Sequence, residues 1–333
     1  MDLTTSYLGI PLKNPIVPSA SPLSKNLDTS KRLQDAGASA LVMYSLFEEE
    51  IIEEGENYDY LVQGQALGHG EADSYLPLPD IYKNCLDLYL EQIAKLKDSL
   101  EIPVIASLNG VSNGGWIEHA KDIEQAGADA LELNIYYIPV NINESGADVE
   151  ARYIEILKAV KQKISIPVTC KLSSQFSSPG HFIKQLEAAG ANGVSLFNRF
   201  YQPDVNLVNL KIDSTLSLST PYESLLRMHW IAIMRGHTDI SLAATGGIHN
   251  AQAVIKLLLA GADVTHLCSI LLKQGPDVIN IILAGLTKWM EENKYESVTQ
   301  LKGSVSQGKA INPVAFERLN YLEVLQGYSS WSI

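Results

Sequence analysis

The sequence predicts a (β/α)₈ TIM barrel with long loops after strands two and six and a C-terminal extension. Two recurring segment types support this prediction. In four places a helix-ending "AGA" precedes an apolar run that suits a buried strand, as in "AGADALELN" from Ala126. A second type places a short apolar strand after a proline or a polar break, as in "IPVTCKLSS" from Ile166. Together they give eight candidate strands, at roughly 15–19, 39–45, 103–108, 130–135, 167–173, 193–198, 240–245 and 264–268.

Helical patterns fill most of the gaps between these strands, as in "SPGHFIKQLEAAGA" from Ser178. Two gaps are much longer: the acidic, tyrosine-rich segment 48–82 and the segment 200–221. Both follow the carboxyl ends of strands, where barrels of this class carry their sites. We therefore expect one functional face, a barrel domain over residues 1–303, and an extension over 304–333 that packs on the barrel or on a partner subunit.

The composition excludes several classes of protein. The 333 residues are 46% hydrophobic and 19% charged, as in ordinary globular proteins, and the net charge of −13 disfavours binding to nucleic acid. The N-terminus lacks a signal-peptide pattern and no apolar stretch is long enough to cross a bilayer, so we expect a cytoplasmic protein without membrane partners. Cys85, Cys170 and Cys268 are too few and scattered for a disulfide framework or a zinc site, so we expect free thiols and no metal.

The clearest local signal for a ligand is "ATGGIHNAQAV", in which Gly246 and Gly247 end strand seven before a helix. Glycines allow close backbone approach, and N–H groups near the following helix can hold a dianionic phosphate. Strand eight ends at Cys268 and Ser269, whose amides would complete a phosphate cradle. The alternative is a glycine pair that is needed only for a tight turn.

Other strand ends deliver polar side chains to the same face, namely Ser45, Asn109, Asn134, Lys171 and Asn198. Lys171 lies in an apolar strand, so its cation needs an anionic partner. That partner is either the negatively charged edge of a reduced flavin or a carboxylate such as Glu132. The asparagine amides suit a ring with alternating carbonyl and N–H groups, or they cap loops.

The ordered motifs "NPIVPSAS", "SLNG", "ELN", "CKL", "FN", "ATGGI" and "LCS" resemble those of the dihydroorotate dehydrogenases, nearest to the class 1 enzymes. The resemblance runs from about Leu8 to Gly303. It implies a homodimer and an FMN across the carboxyl mouth of the barrel, with the phosphate on Gly246, Gly247, Cys268 and Ser269. It also implies that the rest of the cofactor is contacted by Ala20, Ser21, Ser45, Asn109, Asn134 and Lys171.

Two loops depart from the family pattern. Members carry Asn, any residue, Ser, Cys or Ser, Pro and Asn after strand four, whereas "NIYYIP" puts Tyr137 where the catalytic base should stand. The substrate loop has become "SYLPLPD" from Ser74, and only Asn134 and Asn198 remain of the four asparagines that bind orotate. We therefore expect Ser74, Asn134 and Asn198 to contact a small, pyrimidine-like substrate other than dihydroorotate.

Tyr137 bears on whether the protein removes hydrogen from its substrate or adds it. A phenol with a pKa near ~10 is a poor base for a C–H bond but a good proton donor to one alkene carbon while flavin N5 delivers hydride to the other. The hypothesis is an FMN-dependent oxidoreductase acting on CH–CH or C=C bonds, with Tyr137 and Lys171 as catalytic residues. Three alternatives remain: Tyr136 and Tyr137 only pack at the rim, the substrate is dihydroorotate with an atypical base, or the protein is a flavin-binding non-catalytic protein or a regulatory protein.

Overall fold

A computed structural model describes residues 1–54, 83–111, 116–213 and 216–327, and its strands are numbered β1 to β12 along the chain. Eight of them form one parallel sheet in which neighbours follow chain order and the last returns to the first. Ser39 N–H donates to Ile16 O across the remaining seam. The predicted (β/α)₈ barrel is confirmed, with strands β3 (Ile16–Pro18), β4 (Leu41–Phe47), β5 (Val104–Asn109), β6 (Ala130–Asn134), β7 (Val168–Leu172), β8 (Gly193–Leu196), β11 (Ser241–Thr245) and β12 (Val264–Leu267).

Helices cover the outside of the barrel and begin and end where the sequence signals them. Asn84 and Asp87 form a capping box at the start of one helix, and Ser145 and Asp148 form another. The four "AGA" glycines lie at helix ends with positive φ, as at Gly37 and Gly261. The helices are α1 (Leu27–Asp35), α2 (Cys85–Ser99), α3 (Trp116–Gln125), α4 (Gly146–Lys161), α5 (Pro179–Ala188), α6 (Ser224–Met234), α7 (Ala251–Ala260), α8 (Ser269–Gln274), α9 (Val278–Glu292), α10 (Val298–Leu301) and α11 (Arg318–Gly327).

Every second side chain of each strand points into the barrel, and successive inward side chains form two layers along the barrel axis. The lower layer, towards the amino ends, is an apolar cluster that includes Val17, Val42, Ile105, Ala130, Ala243 and Val264. The upper layer, two residues further along the strands, is polar and buried, and comprises Ser107, Glu132, Lys171, Ser195 and His266. A register shift between Val42 and Ser45 in β4 places Ser45 opposite Ser107.

A short hairpin closes the amino end of the barrel, and the sequence did not predict it. Strands β1 (Thr5–Tyr7) and β2 (Ile10–Leu12) pair antiparallel. Tyr7 and Leu8 pack into the lower layer, and Tyr7 Oη donates to Thr169 Oγ1 at 3.3 Å. A Cβ on Gly193 would lie 2.6 Å from Leu8 Cδ2, so glycine at this position leaves room for the β1–β2 hairpin.

The long segments after barrel strands two and six leave the carboxyl end, as expected. Residues 48–54 are helical, and 55–82 lie outside the described residues. The segment after β8 contains an unpredicted hairpin of β9 (Asp204–Asn206) and β10 (Lys211–Asp213). Among the described residues, no helix is long and apolar enough to span a bilayer.

The extension begins against two barrel helices. Val305 N–H donates to Leu259 O at 2.9 Å and Gln307 N–H to Ala232 O at 3.0 Å. The ring of Phe316 lies 6.1 Å from that of His229, whereas α11 beyond it is largely exposed. The division of the chain at residue 303 stays a prediction.

Candidate active site

A cavity of about 290 Å³ opens where the barrel strands end. Its size is close to the lower limit of about 300 Å³ for small-molecule sites. Eight residues that the sequence singled out line it together: Ala20, Ser21, Lys171, Asn198, Gly246, Gly247, Cys268 and Ser269. Four others, Ser45, Asn109, Asn134 and Tyr137, are not among its lining residues. Ser74 lies outside the described residues.

The glycine pair forms one end of the cavity and is also needed by the fold. Gly246 and Gly247 have φ values of +97° and +78°. A Cβ on Gly247 would lie 2.3 Å from the Ser224 backbone nitrogen, and one on Gly246 would lie 2.9 Å from the Arg227 guanidinium. Arg227 donates to Thr245 O and Phe197 O and so ties two strand ends together. The tight-turn requirement is therefore real, and a ligand role comes in addition to it.

Hydroxyl and amide groups gather beside these glycines. Ser219 Oγ donates to Ser269 Oγ at 2.8 Å, and Ser219 N–H donates to the same oxygen at 3.1 Å. Gly247 N–H donates to Ser219 Oγ at 3.4 Å, and His249 Nε2 lies 3.2 Å from that oxygen. Burial raises the pKa of the Cys268 thiol, so that group stays neutral near pH 7. In this structure these hydroxyl and amide donors are paired with one another, and an anionic group at this end would take their hydrogen bonds in place of the serine oxygens.

Lys171 reaches the cavity from below and has a carboxylate partner. Its Nζ lies 3.6 Å from Glu132 Oε1, and Glu132 is fully buried. Of the two partners that the sequence suggested for Lys171, the carboxylate is thus present. His266 also lines the cavity, and neither of its ring nitrogens has a hydrogen-bond partner among the described residues. Burial lowers the pKa of His266 to about 4, so its ring is neutral near pH 7.

The rim asparagines are joined to this carboxylate by hydrogen bonds. Asn198 Nδ2 donates to Asn134 Oδ1 at 2.7 Å, and Asn134 Nδ2 donates to Ser45 Oγ at 3.5 Å. Ser45 Oγ lies 2.9 Å from Ser107 Oγ, which donates to Glu132 Oε1 at 3.5 Å. The polar network therefore runs from the cavity wall at Asn198 to the buried charge. Asn109 ends β5 beside Asn134 in register.

Tyr137 lies on the loop after β6, with its hydroxyl turned to a neighbouring carboxylate. Tyr137 Oη donates to Glu144 Oε2, and the Arg152 guanidinium lies 4.0 Å from the ring centroid. The hydrogen bond to Glu144 is the largest cause that raises the Tyr137 pKa. The phenol therefore keeps its proton at neutral pH, which suits a donor and disfavours a base. Tyr136 Oη instead accepts from Tyr201 N–H at 2.8 Å.

The donor set of the cavity fits a phosphorylated cofactor. Among its described lining residues, Lys171 and Arg199 are cationic and none is acidic, although the chain carries a net charge of −13. Each cation also has a carboxylate outside the lining, Glu132 at 3.6 Å from Lys171 and Glu223 at 3.5 Å from Arg199. An anionic ligand in the cavity would contact the cations and no lining carboxylate. The ring nitrogens of His266, which have no hydrogen-bond partner in the described part of the chain, are further polar atoms that a bound ligand could satisfy. Within the described residues no group of three or more His, Cys, Asp or Glu could hold a metal ion.

The comparison with known families assigns the chain to a family. A profile described as dihydroorotate dehydrogenase matches residues 81–290, more than half of the chain. The chain belongs to the dihydroorotate dehydrogenase family. The expected resemblance is confirmed, and with it the membership of an oxidoreductase family.

Relatives of this dihydroorotate dehydrogenase family member carry two kinds of name. The dihydroorotate dehydrogenase B (NAD(+)) catalytic subunit of Thermoplasma acidophilum is 25% identical over 305 residues, which cover 91% of this chain and 98% of the relative. The corresponding subunit of Shouchella clausii is 28% identical, with 64% of this chain and 72% of the relative covered. The NAD-dependent dihydropyrimidine dehydrogenase subunit PreA of Escherichia coli is 23% identical, with 91% of this chain and 76% of the relative covered.

Four residues were not among the predicted site residues: Arg199, Ser219 and His266, which line the cavity, and Arg227, which ties the neighbouring strand ends together. Ser219 lies within the insertion after β8, where no local pattern marks it. Arg199 follows the recognised Asn198 directly, and His266 is a polar residue inside the apolar strand "VTHL", so both carried a visible signal. Arg227 lies on α6 and reaches the strand ends only through tertiary packing.

Proposed function

We propose that this chain is an FMN-dependent oxidoreductase that adds or removes hydrogen across a CH–CH or C=C bond of a small, pyrimidine-like substrate. One observation carries the proposal: the glycine pair, Ser269 and Lys171 line the same cavity, and its described lining contains cations and no carboxylate. FMN, when bound, would exchange hydride with the substrate at N5. Lys171 would donate to the cofactor, and Asn198 and Asn134 would orient the substrate ring.

In this proposal Tyr137 holds the proton that the substrate carbon receives. Its raised pKa keeps the phenol protonated. Its hydroxyl faces Glu144 in this structure, so proton delivery requires the loop after β6 to turn it towards the cavity. Glu144 and Arg152 form an ion pair at 2.7 Å beside the ring and would re-form the resting contact.

The first test is cofactor binding. The purified protein is titrated with FMN and, as a matched control, with riboflavin, which lacks only the phosphate. We expect FMN to bind at least about 100-fold more tightly than riboflavin, because a phosphate at the glycine end could accept from the Ser219 and Gly247 N–H groups in place of the serine oxygens. Equal affinities would contradict the phosphate site, and failure to bind either would move the chain to a regulatory protein without flavin.

The second test separates two substrates. The FMN-loaded protein is mixed anaerobically with dihydrouracil or dihydroorotate, and after chemical reduction with uracil or orotate. Reaction with dihydrouracil or uracil, and not with dihydroorotate or orotate, supports the proposal. Rapid bleaching by dihydroorotate alone would support the second candidate, a genuine dihydroorotate dehydrogenase with an atypical base, which the names of the relatives favour.

The third test examines Tyr137 directly. Tyr137→Phe should lower the rate of substrate reduction by about 100-fold or more, the usual range for losing a general acid, while FMN affinity is unchanged. Tyr136→Phe is the matched control, since its hydroxyl accepts from a backbone amide. If both variants reduce the substrate at the wild-type rate, the two tyrosines only pack at the rim.

The homodimer is also a proposal. The hairpin of β9 and β10 exposes a row of apolar side chains, with Leu207 84% and Val208 96% exposed, that a second copy could cover. Sedimentation equilibrium on wild type and on Val208→Glu tests it. A dimer that dissociates in the variant supports this face, and a wild-type monomer contradicts the proposal.

A further inference from the structure

The upper layer of the barrel holds a carboxylate that does not itself line the cavity. Glu132 is fully buried, and its oxygens accept from Ser107 Oγ at 3.5 Å and from Ser195 Oγ at 3.3 Å. Lys171 Nζ lies 3.6 Å away and His266 Nδ1 4.0 Å away. Two strands set this geometry, because Glu132 is on β6 and Lys171 on the adjacent β7.

Three titratable side chains close to Glu132 stay neutral near pH 7. Burial lowers the pKa of His266 and raises the pKa of Tyr7 and of Cys170, so all three stay neutral. The Lys171 ammonium therefore lies between a cavity suited to an anion and one carboxylate beneath it. Lys171 is 7% exposed, so water screens neither interaction strongly.

We propose that Glu132 is a positioning residue that holds the Lys171 ammonium at the floor of the cavity and offsets part of its charge. By doing so it sets how strongly the site favours reduced over oxidised FMN. The inference rests on the proposed function, since it needs FMN as the ligand. The physical reason is that reduction adds negative charge to the cofactor. The Lys171 ammonium stabilises that added charge more strongly when the Glu132 carboxylate does not offset part of its own charge.

The experiment is a double-mutant cycle in which the FMN reduction potential is measured. Glu132→Gln keeps the shape and removes the charge, and should shift the equilibrium towards reduced FMN by about tenfold, which is about 30 mV for a two-electron couple. Lys171→Met should shift it the other way. In the Lys171→Met background, Glu132→Gln should change the equilibrium by less than about threefold, because the carboxylate acts through the lysine.

Ser195→Ala is the matched control, since it removes a hydrogen bond to the same carboxylate without changing charge. A shift from Glu132→Gln no larger than that of Ser195→Ala would overturn the inference. An equal shift with and without Lys171 would also overturn it, because the carboxylate would then act independently of the lysine. If Glu132→Gln alone does not fold, Lys171→Met is compared with the double variant. Equilibria between reduced and oxidised FMN that agree within about threefold support the inference, and a tenfold difference between them overturns it.

The wild-type FMN titration comes first and separates the two levels. Wild type that does not bind FMN overturns both the proposed function and this inference. Wild type that binds FMN, followed by a Glu132→Gln potential equal to that of wild type, overturns the inference alone.

Discussion

The two interior layers of the barrel are built on the same strands, two residues apart, and differ in chemistry. Along three strands the inward residue changes from apolar to polar: Ile105 to Ser107, Ala130 to Glu132, and Val264 to His266. The lower layer gains free energy from burial, roughly 25 cal/mol per Å² of apolar surface. The upper layer buries charges, whose desolvation opposes folding. The position of the layer along the barrel axis therefore separates an apolar layer that stabilises the fold from a polar layer beneath the candidate site.

Breaking the charge pair of the upper layer should have the largest effect on stability. Lys171→Met leaves Glu132 buried without its cation, so we expect the free energy of unfolding to fall by about 3–5 kcal/mol. Urea denaturation measures it. Adding Glu132→Gln should recover more than half of the loss.

Lys97→Met is the control for the loss of a lysine from an ion pair, because the Lys97 to Asp129 pair is partly exposed. It should cost less than about 1 kcal/mol. If the two lysine variants lose the same free energy of unfolding, burial does not make the Lys171 to Glu132 pair more costly to break than a partly exposed pair.

A cavity in the lower layer should come second. Ile105→Ala removes a fully buried side chain from the apolar cluster, and we expect a loss of about 3 kcal/mol. Ile281→Ala is the control on the exposed side of α9, where the change should be within about 0.5 kcal/mol. FMN affinity should be unchanged in Ile105→Ala, and a large loss of affinity would mean that the two layers are not separate.

Protonation of His266 should cause the third largest loss in the free energy of unfolding. Its folded pKa of about 4 lies below the unfolded value near 6.5, so the unfolded chain binds a proton first and stability falls as the pH drops from about 6.5 to 4. From pH 7 to pH 4.5 this group should remove about 2 kcal/mol. The His266→Phe variant keeps a ring beside Tyr7 and should lose that much less on acidification. If the free energy of unfolding of the two proteins falls in parallel with pH, the loss does not come from protonation of His266.

Overpacking beneath the lower layer should have the smallest effect. Gly193→Ala brings a Cβ to 2.6 Å from Leu8 and 3.0 Å from Ser241 O, so we expect a loss of about 1–2 kcal/mol. Gly146→Ala is the control, since a Cβ there meets nothing within 4 Å. Thermal unfolding compares them, and a neutral Gly193→Ala would show that the β1–β2 hairpin shifts freely.

Strand positions could be predicted because the signals are local. "AGA" ends a helix wherever it occurs, and the apolar run after it has few alternatives to a buried strand. The eight predicted strands agree with those observed to within two residues at each end. The β1–β2 hairpin was missed because three-residue strands leave too short a pattern to recognise.

The candidate site could be predicted only in part. Residues at the strand ends, such as Gly247 and Lys171, were predicted because the fold sends all strand ends to one face. Ser219 and Arg227 come from an insertion and a helix, so no pattern in the chain relates them to those strand ends. Ser45 needed the register shift in β4, which side-chain alternation alone would have missed.

The sequence by itself determined the barrel, the functional face and the family, because periodicity, helix-ending glycines and ordered motifs act over short distances along the chain. Only the tertiary structure decided that Glu132 is the partner of Lys171 and that Tyr137 turns to Glu144. Those choices depend on which side chains meet across neighbouring strands and loops. Distance and burial fix the strength of a charge interaction, and neither quantity can be read from a short stretch of sequence.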